Sequence, residues 1–380
     1  MKIAFLSNYF NHHQKPFCEA MYKRLGEDFI FVATSEVSEW RKKLGYIEMT
    51  ANYVQNYSED LDAFINKCDV VIWGCAPYNL VKSRLREGKL TLFYSERIYR
   101  ECIPWHKLLK HVLSHYYHYG RYKNFYMLCA GAYTAYDFSL THCFKNKYFK
   151  WGYFPLTKIY EDINKLIDTK AKNNRLIETE VSILWVGRLI GLKHPEAPLY
   201  VAKRLKNDGV SFKLDIIGTG DLDNEVKESI VHDNLQDCAV FHGAKKADEV
   251  RIYMEHADIF LFTSDRNEGW GAVLNESMNS ACAVVASDAI GAVPFLIKDG
   301  ENGLVYHSCD WKDLYDKVKY LIDNPNERRQ ISESAYQTIV CQWNAEKAAE
   351  NLMEMISALR HGEETPIKEG PCSVATIIKG

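Results

Sequence analysis

The sequence predicts an α/β protein built from two doubly wound domains, and three observations carry that prediction. The chain has 380 residues, which is enough for two domains at roughly 150 residues each. Short apolar runs alternate with longer amphipathic segments in both halves, and a charge-rich stretch over 162–180 separates the halves. Strand–helix alternation is typical of parallel sheets with right-handed crossovers, so each half is expected to be a Rossmann-like domain.

The short apolar runs are the candidate strands. In the first half they cover 2–7, 29–33, 69–73, 90–94 and 125–129. In the second half they cover 181–186, 212–217, 239–241, 259–262 and 283–286. Segments 17–25, 61–67 and 345–359 place apolar residues at helical spacing and are predicted helices.

Composition excludes several classes of protein. The net charge is −3, whereas a nucleic-acid binder would show a basic excess. None of the eleven cysteines forms a C-x-x-C pair, so no zinc ribbon or redox motif is visible, and reduced, buried thiols are expected. No apolar run approaches the roughly 20 residues that span a bilayer, and the apolar start is too short for a signal peptide. These features favour a cytoplasmic protein.

The strongest chemical motif covers 267–278. Gly269, Trp270 and Gly271 precede a predicted helix, where free backbone N–H groups favour an anion. Glu268 and Glu276 flank that start, and eight residues at 1.5 Å rise separate them by at most about 12 Å. This span is comparable to that from a sugar ring to a ribose across a diphosphate. A carboxylate can accept hydrogen bonds from two adjacent ribose hydroxyls.

Two further motifs follow predicted strands of the second half. Gly187 and Arg188 come directly after the strand at 181–186, with Lys193 a few residues on. Ligands of open α/β sheets bind at such strand ends, and two cations there would neutralise a diphosphate. Gly218 lies in a strand–glycine–helix sequence that, taken alone, is weak and fails as a dinucleotide fingerprint.

In their order, these motifs resemble the family 4 (GT4) retaining glycosyltransferases of the GT-B fold. The resemblance covers roughly 180–340 and runs through Gly187-Arg188-Leu189 with Lys193, Ile217-Gly218-Thr219-Gly220, Phe241-His242-Gly243, Glu268 with Glu276, and Asp299-Gly300-Glu301-Asn302-Gly303. It implies two Rossmann-like domains facing each other across a cleft, with a final helix crossing back. The expected limits are 1–155 for the acceptor-side domain, 156–180 for a linker, 181–342 for the nucleotide-sugar domain, 343–360 for the crossover helix and 361–380 for a loosely ordered tail.

The resemblance also implies an activity and the roles of residues. The protein would transfer a hexose from a nucleotide-diphosphate sugar, with UDP the family's usual nucleotide, in surface polysaccharide synthesis. Arg188 and Lys193 would contact the diphosphate, Glu268 the transferred sugar and Glu276 the ribose. Gly187, Gly218, Gly269, Trp270 and Gly271 would complete the donor site. No cofactor or metal is expected: the Asp-x-Asp pairs at 60–62 and 221–223 are interpreted as a helix face and a helix N-terminus.

The first half matches the family less well, because no glycine pair follows its first strand. His12, His13 and Glu96 follow predicted strands there and are candidates for positioning a saccharide or lipid-linked acceptor, although a structural role stays open. Segment 102–126 holds basic and aromatic residues and no acidic residue. Its apolar residues recur at helical spacing and form a stripe, which consists of Leu108, Leu109, Val112, Leu113 and Tyr116. Its favoured interpretation is a core-packed helix with a cationic outer face. The alternative is a helix that lies on an anionic membrane surface at the inner leaflet.

Four other functions were weighed against this one. A nucleotide-sugar epimerase or a phosphorylase could use the same fold, and the sequence motifs do not distinguish either enzyme from a glycosyltransferase. A non-catalytic nucleotide-sugar-binding protein is disfavoured by the presence of both glutamates and both cations. A nicotinamide-dependent oxidoreductase is disfavoured because the first strand lacks the glycine fingerprint.

Overall fold

The computed structural model describes residues 1–37, 49–99, 105–170 and 180–379. They form two compact units, the first made of Met1–Leu156 with Gln342–Gly380 and the second of Thr157–Cys341. Residues 171–179 of the predicted linker lie outside the described residues. The described part of that segment contains a helix, Ile163–Lys170, whose last side chain is buried.

The first unit is built on a seven-stranded sheet in which every pair is parallel, in the order β3-β2-β1-β4-β5-β6-β7. The strands are β1 (Ile3–Ser7), β2 (Phe29–Ala33), β3 (Val54–Asn56), β4 (Val70–Trp73), β5 (Thr91–Ser95), β6 (Phe125–Ala130) and β7 (Tyr148–Trp151). The inner strands are mostly apolar because both faces of a parallel sheet are covered.

Helices of the first unit come from both ends of its chain. They are α1 (Lys15–Leu25), α2 (Leu61–Lys67), α3 (Asn79–Arg86), α4 (Trp105–His115), α5 (Thr134–Ser139) and a final helix, Ala345–His361. The final helix packs on α1, where Arg24 donates a 2.6 Å hydrogen bond to Glu346. Its apolar side, including Leu352, Met355 and Ile356, is buried, as the helical spacing predicts.

The tail after the final helix packs against the sheet. Cys372 is fully buried, and the Lys150 N–H donates to the Ser373 carbonyl at 2.8 Å. The Ala375 N–H donates to the Tyr148 carbonyl at 3.0 Å. The prediction of a loosely ordered tail is therefore wrong for 372–375, because backbone hydrogen bonds to the edge strand β7 hold this segment.

The second unit holds a six-stranded parallel sheet in the order β10-β9-β8-β11-β12-β13. Its strands are β8 (Val181–Val186), β9 (Phe212–Ile217), β10 (Ala239–Phe241), β11 (Ile259–Phe262), β12 (Ala283–Ser287) and β13 (Leu304–Tyr306). After the helix Ile163–Lys170, the second unit contains the helices Glu196–Asn207, Asp223–His232, Ala247–His256, Val273–Asn279, Val293–Leu296, Trp311–Asp323 and Pro325–Cys341. The carboxyl ends of the central strands β8 and β11 lie at the same edge of the sheet and carry the predicted donor motifs.

The predicted α/β class is confirmed, and every predicted strand lies within one residue of an observed one at each end. Three short strands, β3, β7 and β13, were missed by the sequence pattern. No helix in the described ranges is long and apolar enough to cross a membrane. The ten cysteines within those ranges are free thiols.

Candidate active site

Two glycine-containing loops interlock at the carboxyl ends of β8 and β9. The Gly187 N–H donates to the Ile217 carbonyl at 3.0 Å, and the Leu189 N–H donates to the Thr219 carbonyl at 3.1 Å. Gly218 has a φ of 144°, and a Cβ there would overlap the carbonyl oxygen of Gly187. Gly218 therefore permits backbone-to-backbone contact between the two loops, which no larger residue allows.

The Gly218 loop ends at a helix that begins with Asp223. The Asp223 carboxylate accepts hydrogen bonds from the Gly220 N–H at 2.7 Å and the Thr219 hydroxyl at 2.8 Å. The expected N-cap role is therefore wrong for this pair: the N-cap residue is Leu222, which has no capping side chain. Asp223 is the first helical residue, and its carboxylate holds the preceding Thr219–Gly220 turn instead.

Lys193 and Glu268 form an ion pair at the edge of the sheet. Each side chain is 15% exposed. The Glu268 carboxylate also accepts from the Ser264 hydroxyl at 3.1 Å, and the Lys193 ammonium lies 5.8 Å from the centre of the Phe262 ring. The structure therefore brings together two predicted donor-site residues that are 75 positions apart.

Thr263 holds the backbone of the Lys193 loop in place, a role that the sequence did not reveal. Its buried hydroxyl accepts from the Trp185 indole at 2.8 Å and donates to the Lys193 carbonyl at 2.6 Å. The Asp265 N–H donates to the Leu192 carbonyl at 3.0 Å. The loop before Glu268 thus fixes the loop that carries Lys193. The polar stretch 263–266 in the sequence was the available signal.

His194 follows Lys193 in a left-handed conformation, with φ 49° and ψ 59°. Its Nδ1 lies 2.7 Å from Glu196, and its Nε2 lies 3.6 Å from Asp265. The hydrogen bond with Glu196 raises the pKa of the imidazole. These contacts orient the residue that leads from the Lys193 turn into the next helix.

Gly271 and Trp270 shape the start of helix Val273–Asn279. Gly271 has a φ of 84°, and a Cβ there would overlap the Phe262 ring. The Trp270 side chain is fully buried and donates to Asn275 Oδ1 at 2.9 Å. The indole therefore belongs to the core, and its backbone remains as the part that could meet a donor. Gly269 is buried beside it.

Within the described part of the chain, Glu276 and Arg188 make no hydrogen bond or ion pair with Lys193 or Glu268. Glu276 is half-buried on helix Val273–Asn279, and burial raises the pKa of its carboxyl while the nearby Arg251 opposes that shift. The Arg251 guanidinium donates to the Glu276 carbonyl at 3.3 Å and to Asn279 Oδ1 at 3.0 Å. Arg188 is exposed and makes no ion pair with any residue in the described ranges. Its role in donor binding stays a prediction.

The first unit contains a cavity of about 550 Å³ at the ends of β1 and β5. His13 and Glu96, two of the three acceptor-side candidates, line it, together with Tyr153. The Tyr153 hydroxyl donates to Glu96 Oε1 at 2.7 Å, and its ring stacks on His13 with centres 5.5 Å apart. His12 contacts the His13 ring but is not a lining residue. The structure therefore gathers His13 and Glu96 around one cavity, which His12 does not line.

Burial governs the ionisation of the two histidines. Desolvation, with a smaller contribution from His12, lowers the pKa of His13 to about 3. Burial also lowers the pKa of His12. His13 therefore lines the cavity as a neutral imidazole at neutral pH.

The basic-aromatic segment forms α4 and a following π-helical turn, Tyr116–Gly120. Leu109, Leu113 and Tyr116 are 68%, 64% and 57% exposed. The half-buried His115 faces inward instead, stacked near Phe138, and burial lowers the pKa of its imidazole to about 4. The core-packed interpretation of the apolar stripe is therefore wrong for these three residues, because histidines occupy the inner side. Residues 102–104 lie outside the described part of the chain.

Comparisons with known proteins agree with the motifs. Residues 167–338 match the family model of glycosyl transferases group 1. The amylovoran biosynthesis glycosyltransferase AmsK of Erwinia amylovora is 35% identical over 126 residues, which is 32% of this chain and 31% of AmsK. The capsular polysaccharide biosynthesis glycosyltransferase CapM of Staphylococcus aureus is 25% identical over 198 residues, 52% of this chain and 50% of CapM. The similarity thus spans about a third to a half of these relatives.

Solved structures extend the similarity to both units. Anabaena Alr3699/HepE in complex with UDP superposes with a TM-score of 0.69 at 15% identity, covering 94% of this chain and 100% of HepE. The lipopolysaccharide outer core galactosyltransferase WaaB gives a TM-score of 0.67 at 15% identity, covering 94% of this chain and 100% of WaaB. The predicted resemblance is confirmed: residues 167–338 carry the group 1 glycosyl transferase signature, and the chain has the GT-B fold.

Proposed function

We propose that this protein is a retaining glycosyltransferase that moves a hexose from a nucleotide-diphosphate sugar, a UDP-sugar in the first instance, to a saccharide or lipid-linked saccharide acceptor. The observation that carries the proposal is the Lys193–Glu268 pair at the glycine-lined edge of the group 1 unit. The complex of HepE with UDP supports the choice of nucleotide. The names of AmsK and CapM support a place in surface polysaccharide synthesis.

The donor would bind by breaking the Lys193–Glu268 ion pair and giving each of the two side chains a new partner, which we call the partner exchange. The diphosphate takes the Lys193 ammonium, with Arg188 as the second cation, and the freed Glu268 carboxylate accepts hydroxyls of the transferred sugar. As the sugar–phosphate bond breaks, the two cations stabilise the charge that develops on the departing diphosphate. They would supply this neutralisation without a metal ion. Glu276 would accept from the two ribose hydroxyls.

Retention of the sugar's configuration is part of the proposal and rests on the resemblance to family 4. In the single-displacement form of a retaining reaction, the acceptor hydroxyl attacks the sugar face from which the diphosphate departs. The departing phosphate oxygen can then take the acceptor proton, so no side chain is required as a general base. His13 and Glu96 would position the acceptor instead.

The test measures UDP release and product formation from a panel of UDP-sugars, with and without saccharide acceptors and with EDTA. We expect Lys193→Ala to lose mainly turnover and Glu276→Ala to lose mainly donor affinity, with activity persisting in EDTA. Lys203→Ala, at a surface ion pair with Asp233, is the matched control. Wild-type rates in both site variants would refute the donor assignment. Product formed without acceptor would indicate an epimerase, and phosphate-dependent cleavage would indicate a phosphorylase.

We also propose that α4 meets an anionic membrane surface, which would place the enzyme at the inner face of the membrane beside a lipid-linked acceptor. The exposed Leu109, Leu113 and Tyr116 offer apolar contact, and Lys110 and Arg121 offer cations in the same segment. Arg121 lies 4.1 Å from the Tyr117 ring centre, so charge and aromatic surface are adjacent. An apolar helical face flanked by cations suits an anionic interface.

Sedimentation with vesicles containing phosphatidylglycerol tests this contact. Leu109→Glu with Leu113→Glu should reduce co-sedimentation at least tenfold, because two buried contacts are lost and two like charges are added. Ile377→Glu, at an exposed apolar residue elsewhere in the same unit, is the control and should sediment like wild type. Equal recovery of all three proteins would remove the membrane proposal and leave the donor site untouched.

A further inference from the structure

His242, in the loop after β10, is held by three hydrogen bonds. Its Nε2 lies 2.6 Å from Asp215 Oδ1, its Nδ1 lies 3.3 Å from the Tyr253 hydroxyl, and its backbone N–H donates to the Ile216 carbonyl at 2.9 Å. The centres of the His242 and Tyr253 rings are 4.9 Å apart. A carboxylate can only accept, so Nε2 carries the proton that Asp215 receives. Together these contacts give the imidazole one orientation.

Asp215 depends on this histidine because it is buried in the sheet. The residue is 7% exposed, and its other charged neighbour is the Lys213 ammonium at 3.9 Å. A buried carboxylate is unfavourable unless hydrogen bonds compensate for the lost water. Asp215 pairs with Val240 across β9 and β10, and His242 is two positions further along the chain. Side chains two apart leave a strand on the same face, so the sheet register brings the imidazole to the carboxylate.

The glycine after His242 carries the effect to the Gly218 loop. Gly243 has a φ of 69°, and its carbonyl accepts from the Gly218 N–H at 2.9 Å. Gly218 in turn lies so close to the Gly187 carbonyl that no side chain fits between them. A shift of Gly243 would therefore be passed to Gly218 and from there to the loop after β8.

Arg188 stands at the end of this series of contacts. It follows Gly187, and the next residue, Leu189, donates its N–H to the Thr219 carbonyl at 3.1 Å. The backbone on both sides of Arg188 is thus held by the loop that Gly243 holds. Order in this backbone matters for affinity, because a ligand that must first order its site loses part of the binding free energy.

From this series we infer that His242 is a positioning residue for the donor nucleotide. It acts without touching the ligand: its hydrogen bond with Asp215 holds the Gly218 loop, and through that loop the Arg188 backbone, in the geometry that accepts a diphosphate. The effect on nucleotide binding rests on the proposed function. The effect of His242 on the Gly218 loop does not.

Calorimetry with UDP and the full chain tests the effect on binding. His242→Phe keeps a ring against Tyr253 but removes both ring nitrogens, and it should raise the Kd for UDP about fivefold or more. His242→Gln keeps an N–H donor within reach of Asp215 and should stay within about twofold of wild type. His232→Phe is the matched control, because His232 lies 3.0 Å from Asp233 on an exposed helix end of the same unit. Its Kd should equal that of wild type.

Amide hydrogen exchange tests the loop without any ligand. The Gly218 N–H, which the Gly243 carbonyl protects, should exchange about tenfold faster in His242→Phe and at about the wild-type rate in His242→Gln. The Ala283 N–H, bonded to the Asp258 carbonyl at 2.9 Å at the start of β12, reports opening of the whole sheet. It should exchange at the same rate in all three proteins. Equal acceleration at both amides would mean general destabilisation and would overturn the inference.

The outcomes separate this inference from the donor assignment. Wild-type UDP affinity in His242→Phe overturns the inference and leaves the donor assignment intact, and so does a His242→Gln that binds as weakly as His242→Phe. If His242→Phe does not fold, Tyr253→Phe, which removes one hydroxyl from the imidazole, should raise the Kd about twofold, and an unchanged Kd refutes the role. If wild type binds no UDP, the proposed function fails, and unchanged Gly218 exchange in His242→Phe would then overturn the inference separately.

Discussion

Replacement of Glu268 by glutamine tests how the donor site is organised. The Lys193 ammonium forms an ion pair with the Glu268 carboxylate. UDP must therefore approach a cation that is already neutralised. Removing the carboxylate charge frees Lys193 for the diphosphate, so Glu268→Gln should bind UDP more tightly than wild type. Turnover with a UDP-sugar should fall, because the transferred sugar loses its strongest hydrogen-bond acceptor.

The size of the effect follows from Coulomb's law. A diphosphate in contact with Lys193 would lie roughly 7 Å from the Glu268 carboxylate, which at an effective dielectric constant of about 20 gives about 2.4 kcal/mol of repulsion. Screening over a Debye length of about 8 Å reduces this to about 1 kcal/mol at physiological salt. Removing that repulsion corresponds to a roughly fivefold lower Kd for UDP.

Isothermal titration calorimetry with UDP measures this change directly, and UDP release from UDP-sugars gives the rate. Glu301→Gln, on an exposed turn of the same unit, removes the same charge away from Lys193 and should leave the Kd unchanged. The effect should shrink as salt is raised. Unchanged or weaker UDP binding by Glu268→Gln would refute the partner exchange.

Three further predictions concern single residues. Glu276→Gln should weaken UDP binding about tenfold in calorimetry, since the substitution removes a charged hydrogen-bond acceptor. Because burial raises the pKa of this carboxyl in the folded protein, the stability that the carboxyl gives the wild type is present at acid pH and is lost as the pH rises through the folded pKa. Urea titrations should therefore show the variant to be more stable, relative to wild type, at neutral pH than at acid pH. Gly218→Ala should lower the free energy of unfolding by about 3 kcal/mol, since the Cβ overlaps Gly187, whereas Gly209→Ala, with φ 69° and open space around it, should lose about 1 kcal/mol. His13, with a folded pKa of about 3, stays neutral while the unfolded imidazole gains a proton below about pH 6.5, so wild type should lose about 2 kcal/mol from this group between about pH 6.5 and 5. His13→Gln should show a flatter stability profile over that range, and an identical slope would contradict the burial.

The fold was predictable from sequence where burial is complete on both faces of a strand. β11 is a continuous apolar run that is buried throughout, and its limits match the structure. β3 has a mostly exposed three-residue sequence, Val54–Asn56, that carries no apolar pattern. β13 is equally short and follows a glycine turn. Short edge strands take their identity from the neighbour they pair with, which the local sequence does not encode.

The candidate site was also predictable from sequence only in part. Glycine positions and motif order identified the loops, because close backbone approach leaves a local mark in the sequence. The contact of Lys193 with Glu268, and the anchoring of the Lys193 loop by Thr263, depend on the pairing of β8 with β11. On α4 the leucine spacing correctly predicted a helix. It misidentified the inner side, because a half-buried histidine takes the place expected of a leucine.

The packing of the final helix on α1 has a consequence for the order of synthesis. Residues 157–341 are contiguous, so the second unit can complete its sheet as soon as it leaves the ribosome. Most of the first unit is translated earlier, but it completes its fold later. Its helix α1 packs on the final helix, and its strand β7 bonds to residues 372–375, both of which are translated last. A truncated product ending near residue 341 would carry a finished second unit and a first unit with exposed apolar surface. Such chains are natural targets for chaperones and proteases.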